Sequence, residues 1–388
     1  MSRIMIVALV ACLAFASMAS ATETSGTKEF RVAAGGKLTL DLETGGGVKI
    51  TGTGGSSVSV SYKLSCTPDC QIAFDQSGSD LHVTTKFERS GRNQNADADF
   101  EIRVPSHFDV ALDSMGGRLE IDGVTGQFTG ETKGGEITLH DVGGEAKLRT
   151  MGGEIRVTDS TVNGSVHTMG GEVTIENVTG DLKGSSMGGD VRYKNVRRSD
   201  GRAASPPHTG DSDPSEITPE TVQISTMGGD IHTEDAENGA DVMTMGGDIT
   251  IKNARRFVRA KTMGGDIEID SIDGWVQATT MGGDLEVTVT GSGGDVNLTS
   301  MSGTVVLRVP SGFGMDLDLE IAFTKNSRKE YVITAPGAGS PSVSPEWDYS
   351  QGSPRKYIRK SASVNGGGHK VTVKTINGNV TVSEGSKN

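Results

Sequence analysis

The chain has 388 residues, a formal net charge of −13, 55 glycines and only 4% aromatic residues. A polyanionic surface disfavours nucleic acid and anionic lipid as partners. So few aromatics argue against one large Leu/Phe core and for many thin layers, each burying a few aliphatics.

The N-terminus reads MSRIMIVALVACLAFASMASATE. Arg3 supplies a basic n-region, Ile4 to Met18 an apolar h-region, and Ala19-Ser20-Ala21 a small-x-small site. This predicts a secretory signal peptide over 1–21, cleaved after Ala21. Arg3 leaves with it, which takes the net charge from −13 to −14. The rival is lipidation of Cys12 at the lipobox-like Leu9-Val10-Ala11-Cys12; a membrane anchor fits less well because the apolar run is short. No later stretch could cross a bilayer. The mature protein is expected to be exported, periplasmic or extracellular.

Residues 22–112 read as strands of irregular spacing ("KLTLDL", "VKITGT", "SVSVSYKL", "DLHVTTKF") and are expected to form an N-terminal β cap. Cys66-Thr67-Pro68-Asp69-Cys70 places two cysteines around a Pro-Asp turn, which predicts a local disulfide in an oxidising compartment. A redox or metal role would want a second Cys/His pair at ligand spacing, and there is none.

Residues 113–304 repeat. Methionines fall at 115, 151, 169, 187, 227, 245, 263, 281 and 301, with Lys133 in the same register. Successive steps are 18 residues, except 40 from 187 to 227 and 20 from 281 to 301. Such a period signals a repeat architecture. Four residues after this register come Leu119, Ile137, Ile155, Val173, Val191, Ile231, Ile249, Ile267 and Leu285, with a second apolar column two residues further on. That pairing is a strand with one buried face. A third column (Val124, Val142, Val178) follows turn formers such as Asp141, Asp159, Asn177, Asn195 and Asn253. Each period is expected to be one coil of about three short strands. The fold class predicted is all-β: a right-handed parallel β-helix (β-solenoid) with 18-residue coils and irregular β caps at both ends. A polar, Pro- and Ser-rich insertion, 197–219, accounts for the 40-residue step.

Within the motif, Gly-Gly is expected at a corner where stacked chains leave no room for Cβ and φ can be positive. The preceding Thr should form a column of hydroxyls bonding to one another. The expectation for Met is packing in the corner; the alternative is an exposed, soft stripe. Glu136, Glu154, Glu172, Asp190, Asp230, Asp248, Asp266 and Asp284 form one acidic column. Like charges at strand spacing repel by about 1 kcal/mol per hydrated pair, so something must offset them. Either each carboxylate accepts corner backbone N–H groups, or the column is a cation ladder for Ca²⁺. The ladder would supply few of the six to eight oxygens required. No other cofactor is indicated.

Residues 305–388 return to strands ("TVVLRVP", "KVTVKTINGNVTV") around a polar insertion, 336–354, and are expected to form C-terminal coils and a cap. Caps are needed because an open-ended solenoid would polymerise, so the particle is expected to be a monomer.

"FEIRVPSHFDVALDSMGGRLEI", "TVVLRVPSGFGMDLDLEI", the T-x-x-G-D-I units and the closing "VTVKTINGNVTV" resemble the bacterial adhesin-like β-solenoid family of unknown function, also called toastrack domains. The resemblance implies a non-enzymatic, extracytoplasmic envelope protein. This chain differs in having Met-Gly-Gly where many members have one Gly after a small polar residue.

The leading functional reading is a non-catalytic envelope scaffold or adhesin-like module presenting solenoid faces to a protein or polysaccharide. A carbohydrate-active lyase or hydrolase needs two carboxylates at a defined separation. The breaks in the repeat, Arg118, Lys133 and Thr304, do not converge on such an arrangement, and the histidines (82, 107, 140, 167, 208, 232, 369) are scattered. A self-assembling polymer is the third reading.

Overall fold

The computed structural model describes residues 22–67, 70–88, 95–197, 221–327, 329–350 and 352–385. The leader over 1–21 with Cys12, His208 and all of the expected insertion except Arg197 lie outside them. Among the described residues every regular element is a strand, and the strands join into one continuous sheet.

The aliphatic columns build the stack. Ile137 pairs in parallel with Ile155, Ile155 with Val173 and Val173 with Val191. The side chains between them, two residues on, repeat the pairing as Leu139, Val157, Ile175 and Tyr193. All of these are buried, so the core is a column of thin layers. Val191 pairs directly with Ile231, which closes the long step without breaking the stack. From there Ile231, Ile249, Ile267, Leu285, Val305 and Val380 continue the same column.

The coils that begin at Leu119, Ile137, Ile155 and Val173 carry two strands each rather than the three expected, and those that begin at Ile249 and Ile267 carry one long strand apiece. A four-residue strand such as Ile137–His140 is followed by a longer one such as Gly143–Thr150. Between them Asp141, Asp159, Asn177 and Asn195 adopt φ of 49°, 51°, 55° and 50°. Asx side chains tolerate this left-handed conformation, so a single residue bends the chain. The third apolar column, Val124, Val142 and Val178, then enters the core at the bend without a strand of its own. Asn253 departs from this pattern. It lies inside the strand Ile249–Lys261, and its Nδ2 donates to Asp235 Oδ1 at 3.1 Å.

Tyr193 is the one aromatic in the second column, and the coil makes room for it at Gly184. A Cβ on Gly184 would lie 2.8 Å from Val173 Cγ1 and 3.2 Å from the Tyr193 hydroxyl. The hydroxyl accepts Gly184 N–H and donates to the Leu182 carbonyl. Burial pushes its pKa well above the ordinary tyrosine value.

At both ends the stacking order departs from chain order. Lys37–Leu42 pairs in parallel with Asp80–Phe87 on one side and with Asp109–Ser114 on the other. Likewise Gly47–Thr53 lies between Asn95–Pro105 and Leu119–Asp122. The first coil in sequence is therefore the second in space. The outer coil is covered by antiparallel strands: Ser57–Thr67 on Asn95–Pro105, Thr22–Arg31 on Ser57–Thr67, and Cys70–Ser77 on Asp80–Phe87. Cys66 and Cys70 are disulfide-bonded, with Cα atoms 5.7 Å apart, and join two of these covering strands. The C-terminus mirrors the device. His369–Ile376 inserts between Val296–Ser300 and Met315–Thr324, and Arg355–Val364 runs antiparallel to the latter. A cluster of three aromatics sits at each end, Phe30, Tyr62 and Phe74 at one and Phe323, Tyr331 and Trp347 at the other, while Phe257 stacks on Trp275 within the regular coils.

The Gly-Gly corner is asymmetric. A Cβ on the second glycine, Gly247, would lie 2.1 Å from the Gly229 carbonyl oxygen, whereas one on Gly246 meets nothing nearer than 3.6 Å. Gly229, Gly265 and Gly283 repeat the close approach at 2.1 Å. Positive φ is not what these corners use; among them only Gly117 adopts it, at 97°. Gly247→Ala is therefore expected to cost about 3 kcal/mol or more, and Gly246→Ala to stay within about 0.5 kcal/mol of wild type. Chemical unfolding of the two variants checks both; equal midpoints would contradict the asymmetry.

Candidate functional site

The repeated Thr-Met-Gly-Gly-acid segment forms a corner column running the length of the regular stack. Its side chains divide by direction. Thr132, Thr150, Thr168, Ser186, Thr226, Thr244, Thr262, Thr280 and Ser300 are buried. Thr244 Oγ1 donates to the Gly229 carbonyl of the preceding coil at 3.0 Å and accepts Gly247 N–H of its own coil at 3.2 Å. The same pair of bonds recurs at Thr150, Thr168, Ser186, Thr226, Thr262 and Thr280. The hydroxyls thus bond to glycine backbone instead of to one another, as the sequence had suggested. A tight corner leaves glycine N–H and C=O groups without ladder partners, and buried backbone groups must be paired.

Because Thr takes the inward position, Met points out. Exposure runs from 38% at Met187 to 53% at Met115, with Met169 half-buried. The corner-packed expectation is overturned: the methionines form an exposed stripe. The two glycines then reset the alternation, so the acid also points out and the following Ile points in. Met243, two residues before Met245, shares its outward face at 47% exposure. It was missed in the sequence because it stands outside the motif, although simple alternation from Met245 reaches it.

The acidic column has two chemistries. Asp190 Oδ1 accepts Asp230 N–H at 3.0 Å, Asp230 accepts Asp248 N–H at 2.8 Å, and Asp248 accepts Asp266 N–H at 2.8 Å. Asp266 accepts Asp284 N–H and Asp284 accepts Thr304 N–H, each at 2.7 Å. Each aspartate therefore ties its coil to the next, a charge-assisted bond that offsets like-charge repulsion. The glutamates carry one more methylene and turn elsewhere. Glu136 accepts Thr138 Oγ1 at 3.3 Å and lies 3.3 Å from Arg118 Nε. Glu172 accepts Thr174 Oγ1 at 2.8 Å and pairs with Arg192, which also reaches Asp190. Burial pushes the Glu172 carboxyl up, but the bonds from Arg192 and Thr174 outweigh it and hold the carboxyl below the ordinary value. Glu154 stands between these two in the column.

The breaks in the repeat continue the column instead of forming a site of their own. Arg118 pairs with Glu136, Lys133 Nζ lies 3.0 Å from Met115 Sδ, and Thr304 donates its N–H to Asp284. The described histidines stay apart. His140 is 3.0 Å from Thr158 Oγ1, His167 bonds to Ser185, His232 sits opposite Arg192, and His369 stacks on Phe313. His82 is opposite Thr39, and His107 bridges to Thr125. Burial and Arg149 hold the His167 pKa below its ordinary value. Among the described residues no three His, Cys, Asp or Glu side chains form a metal-holding group. An open cleft of about 310 Å³ is lined by Asp235, Glu237, Arg255 and Asp273 on another side of the coil.

Residues 205–324 match the family described as Toastrack DUF4097, so the toastrack resemblance is found in that part of the chain. No curated protein matches the chain. Solved structures with a similar course include the following two. A "putative adhesin" from Parabacteroides distasonis has 13% identity and a TM-score of 0.34, covering 69% of this chain and 96% of its own. A "putative cell adhesion protein" from Clostridium sporogenes has 10% identity and a TM-score of 0.16, covering 93% and 100%.

Two stability tests follow from the column. Asp248→Ala should cost about 1 kcal/mol, the net worth of one hydrogen bond, while Asp248→Asn keeps the acceptor oxygen and most of the stability. Equal losses would remove the Asp-to-backbone bond as the cause. For Glu172, whose folded pKa is depressed, the stabilisation is complete above the ordinary glutamate value of about 4.3 and is lost as pH falls through the lower folded value. Glu172→Gln should therefore melt about 1–2 °C below wild type at pH 7. The gap should close below about pH 4; a gap independent of pH would show that the carboxylate charge is not involved.

Proposed function

We propose that this chain is a non-catalytic, exported cell-envelope binding protein of adhesin-like type, wound as a right-handed solenoid of 18-residue coils. It presents its Met-Gly-Gly-acid corner to an envelope protein or polysaccharide. The observation that carries the reading is the exposed methionine stripe. From Met151 to Met301 eight consecutive coils each contribute one methionine, a straight row of about 34 Å at strand spacing. Methionine is flexible and polarizable, so such a row adapts to a partner's surface, and contiguous exposed apolar surface marks interaction sites. The fixed aspartate row beside it adds orientation. Export rests on the N-terminal leader; among the described residues no helix is long and apolar enough to cross a membrane.

The alternative is a carbohydrate-active enzyme, for which the cleft lined by Asp235 and Asp273 is the natural place. Both aspartates are engaged there: Asp235 accepts Asn253 Nδ2, and Asp273 accepts the backbone N–H groups of Ser292 and Gly293. That favours a turn-stabilising role over acid–base work. The polymer reading is disfavoured by the antiparallel strands that cover both terminal coils.

The test is retention of envelope proteins and polysaccharides on immobilised protein, in chelator, comparing wild type with a Met245→Glu/Met263→Glu variant. Specific retention by wild type, reduced tenfold or more in the variant, is the expected outcome. Equal retention would remove the stripe as the docking face. Turnover of a glycan or ester at enzyme-like rates would overturn the non-catalytic reading.

A further inference from the structure

We infer that the methionine stripe is also a binding site for soft monovalent metal ions, Cu(I) or Ag(I), each held between thioether sulfurs of adjacent coils. This does not rest on the docking role; it is a property of the sulfur spacing. Thioethers are soft ligands and select Cu(I) over hard cations. Two metal–sulfur bonds of about 2.3 Å, the length of Zn–S, span about 4.6 Å, close to the strand repeat of about 4.8 Å. Neighbouring methionines are held at that repeat because their flanking residues pair in register on both sides. Thr150 is opposite Thr168 before Met151 and Met169, and Ile155 is opposite Val173 after them. The long sequence step does not interrupt the row, since Gly228 N–H bonds to the Met187 carbonyl at 3.1 Å and sets Met227 beside Met187. Side chains of this column do reach a neighbour's sulfur: Lys133 Nζ lies 3.0 Å from Met115 Sδ. At the other positions the side chains are about half exposed and open to ions. The net charge of −13 and the adjacent aspartate row draw cations toward the stripe.

The test uses the full chain under anaerobic conditions, titrated with Ag(I) and with Cu(I) buffered by bicinchoninate. The readouts are bound stoichiometry and metal-edge X-ray absorption. Two four-site Met→Leu variants separate bridging from scattered binding, since leucine keeps the bulk and removes the sulfur. The contiguous set (Met245→Leu, Met263→Leu, Met281→Leu, Met301→Leu) leaves four neighbouring sulfurs and should retain about half the capacity. The alternating set (Met169→Leu, Met227→Leu, Met263→Leu, Met301→Leu) leaves as many column sulfurs but no two in adjacent coils, and should lose nearly all of it. Equal capacity in the two sets overturns the inference, whether full, halved or absent. So does wild-type absorption showing only oxygen or nitrogen ligands, a measurement that needs no variant. Since the docking assay is run in chelator, loss of metal binding leaves that result intact, and the reverse holds too.

Discussion

The regular stack depends on a close approach between the second glycine of each corner and the carbonyl of the glycine one coil earlier. A side chain there would place Cβ about 2 Å from a backbone oxygen, so the corner closes only where the later coil carries glycine. Much else follows from this approach. It brings the Gly229 carbonyl within reach of Thr244 Oγ1, and it sets successive aspartates so that each carboxylate meets the next coil's N–H. With Thr drawn inward by those bonds, Met has only the outside left. A residue chosen for backbone reasons therefore determines which surface the molecule shows.

The ends solve a different problem. A parallel coil presents unpaired N–H and C=O groups on its open side, a template for another chain. Both ends cover that side with antiparallel strands, and both thread a coil out of chain order beneath them. The pairing partners of Lys37–Leu42 lie about 43 and 72 residues away in sequence, and those of His369–Ile376 about 54 and 75. Undoing either end thus requires breaking long-range pairing on two faces at once. The two three-ring clusters sit at these covered ends, where larger side chains fill the less regular space beyond the last aliphatic layer.

The corner column joins stability to surface chemistry. Apart from Glu154, its carboxylates are engaged with backbone, hydroxyls or Arg118 and Arg192, so its acidic row is a structural ladder as well as a charged edge. The methionines beside it have no such obligation. They are constrained in position by the backbone and free in their side chains, the combination a binding surface needs.

The period, the inward aliphatic columns and the glycine corner were legible in the amino-acid sequence because each is a local rule repeated every 18 residues: identical neighbours at a fixed step must stack. The left-handed bends at Asp141 and Asn177 were legible as turn formers for the same reason. The facing of the methionines was not. Alternation counted forward from one strand and backward from the next gives opposite answers across Gly-Gly, and only the hydrogen bonds of the buried Thr decide between them. Nor was the threading of the ends, where Leu38 meets Val110 and Val296 meets Val371 through registers that share no motif. Periodicity determines what a coil is; which coil lies on which, and which side chains are left outside, is decided by backbone groups that must find partners once the chain is compact.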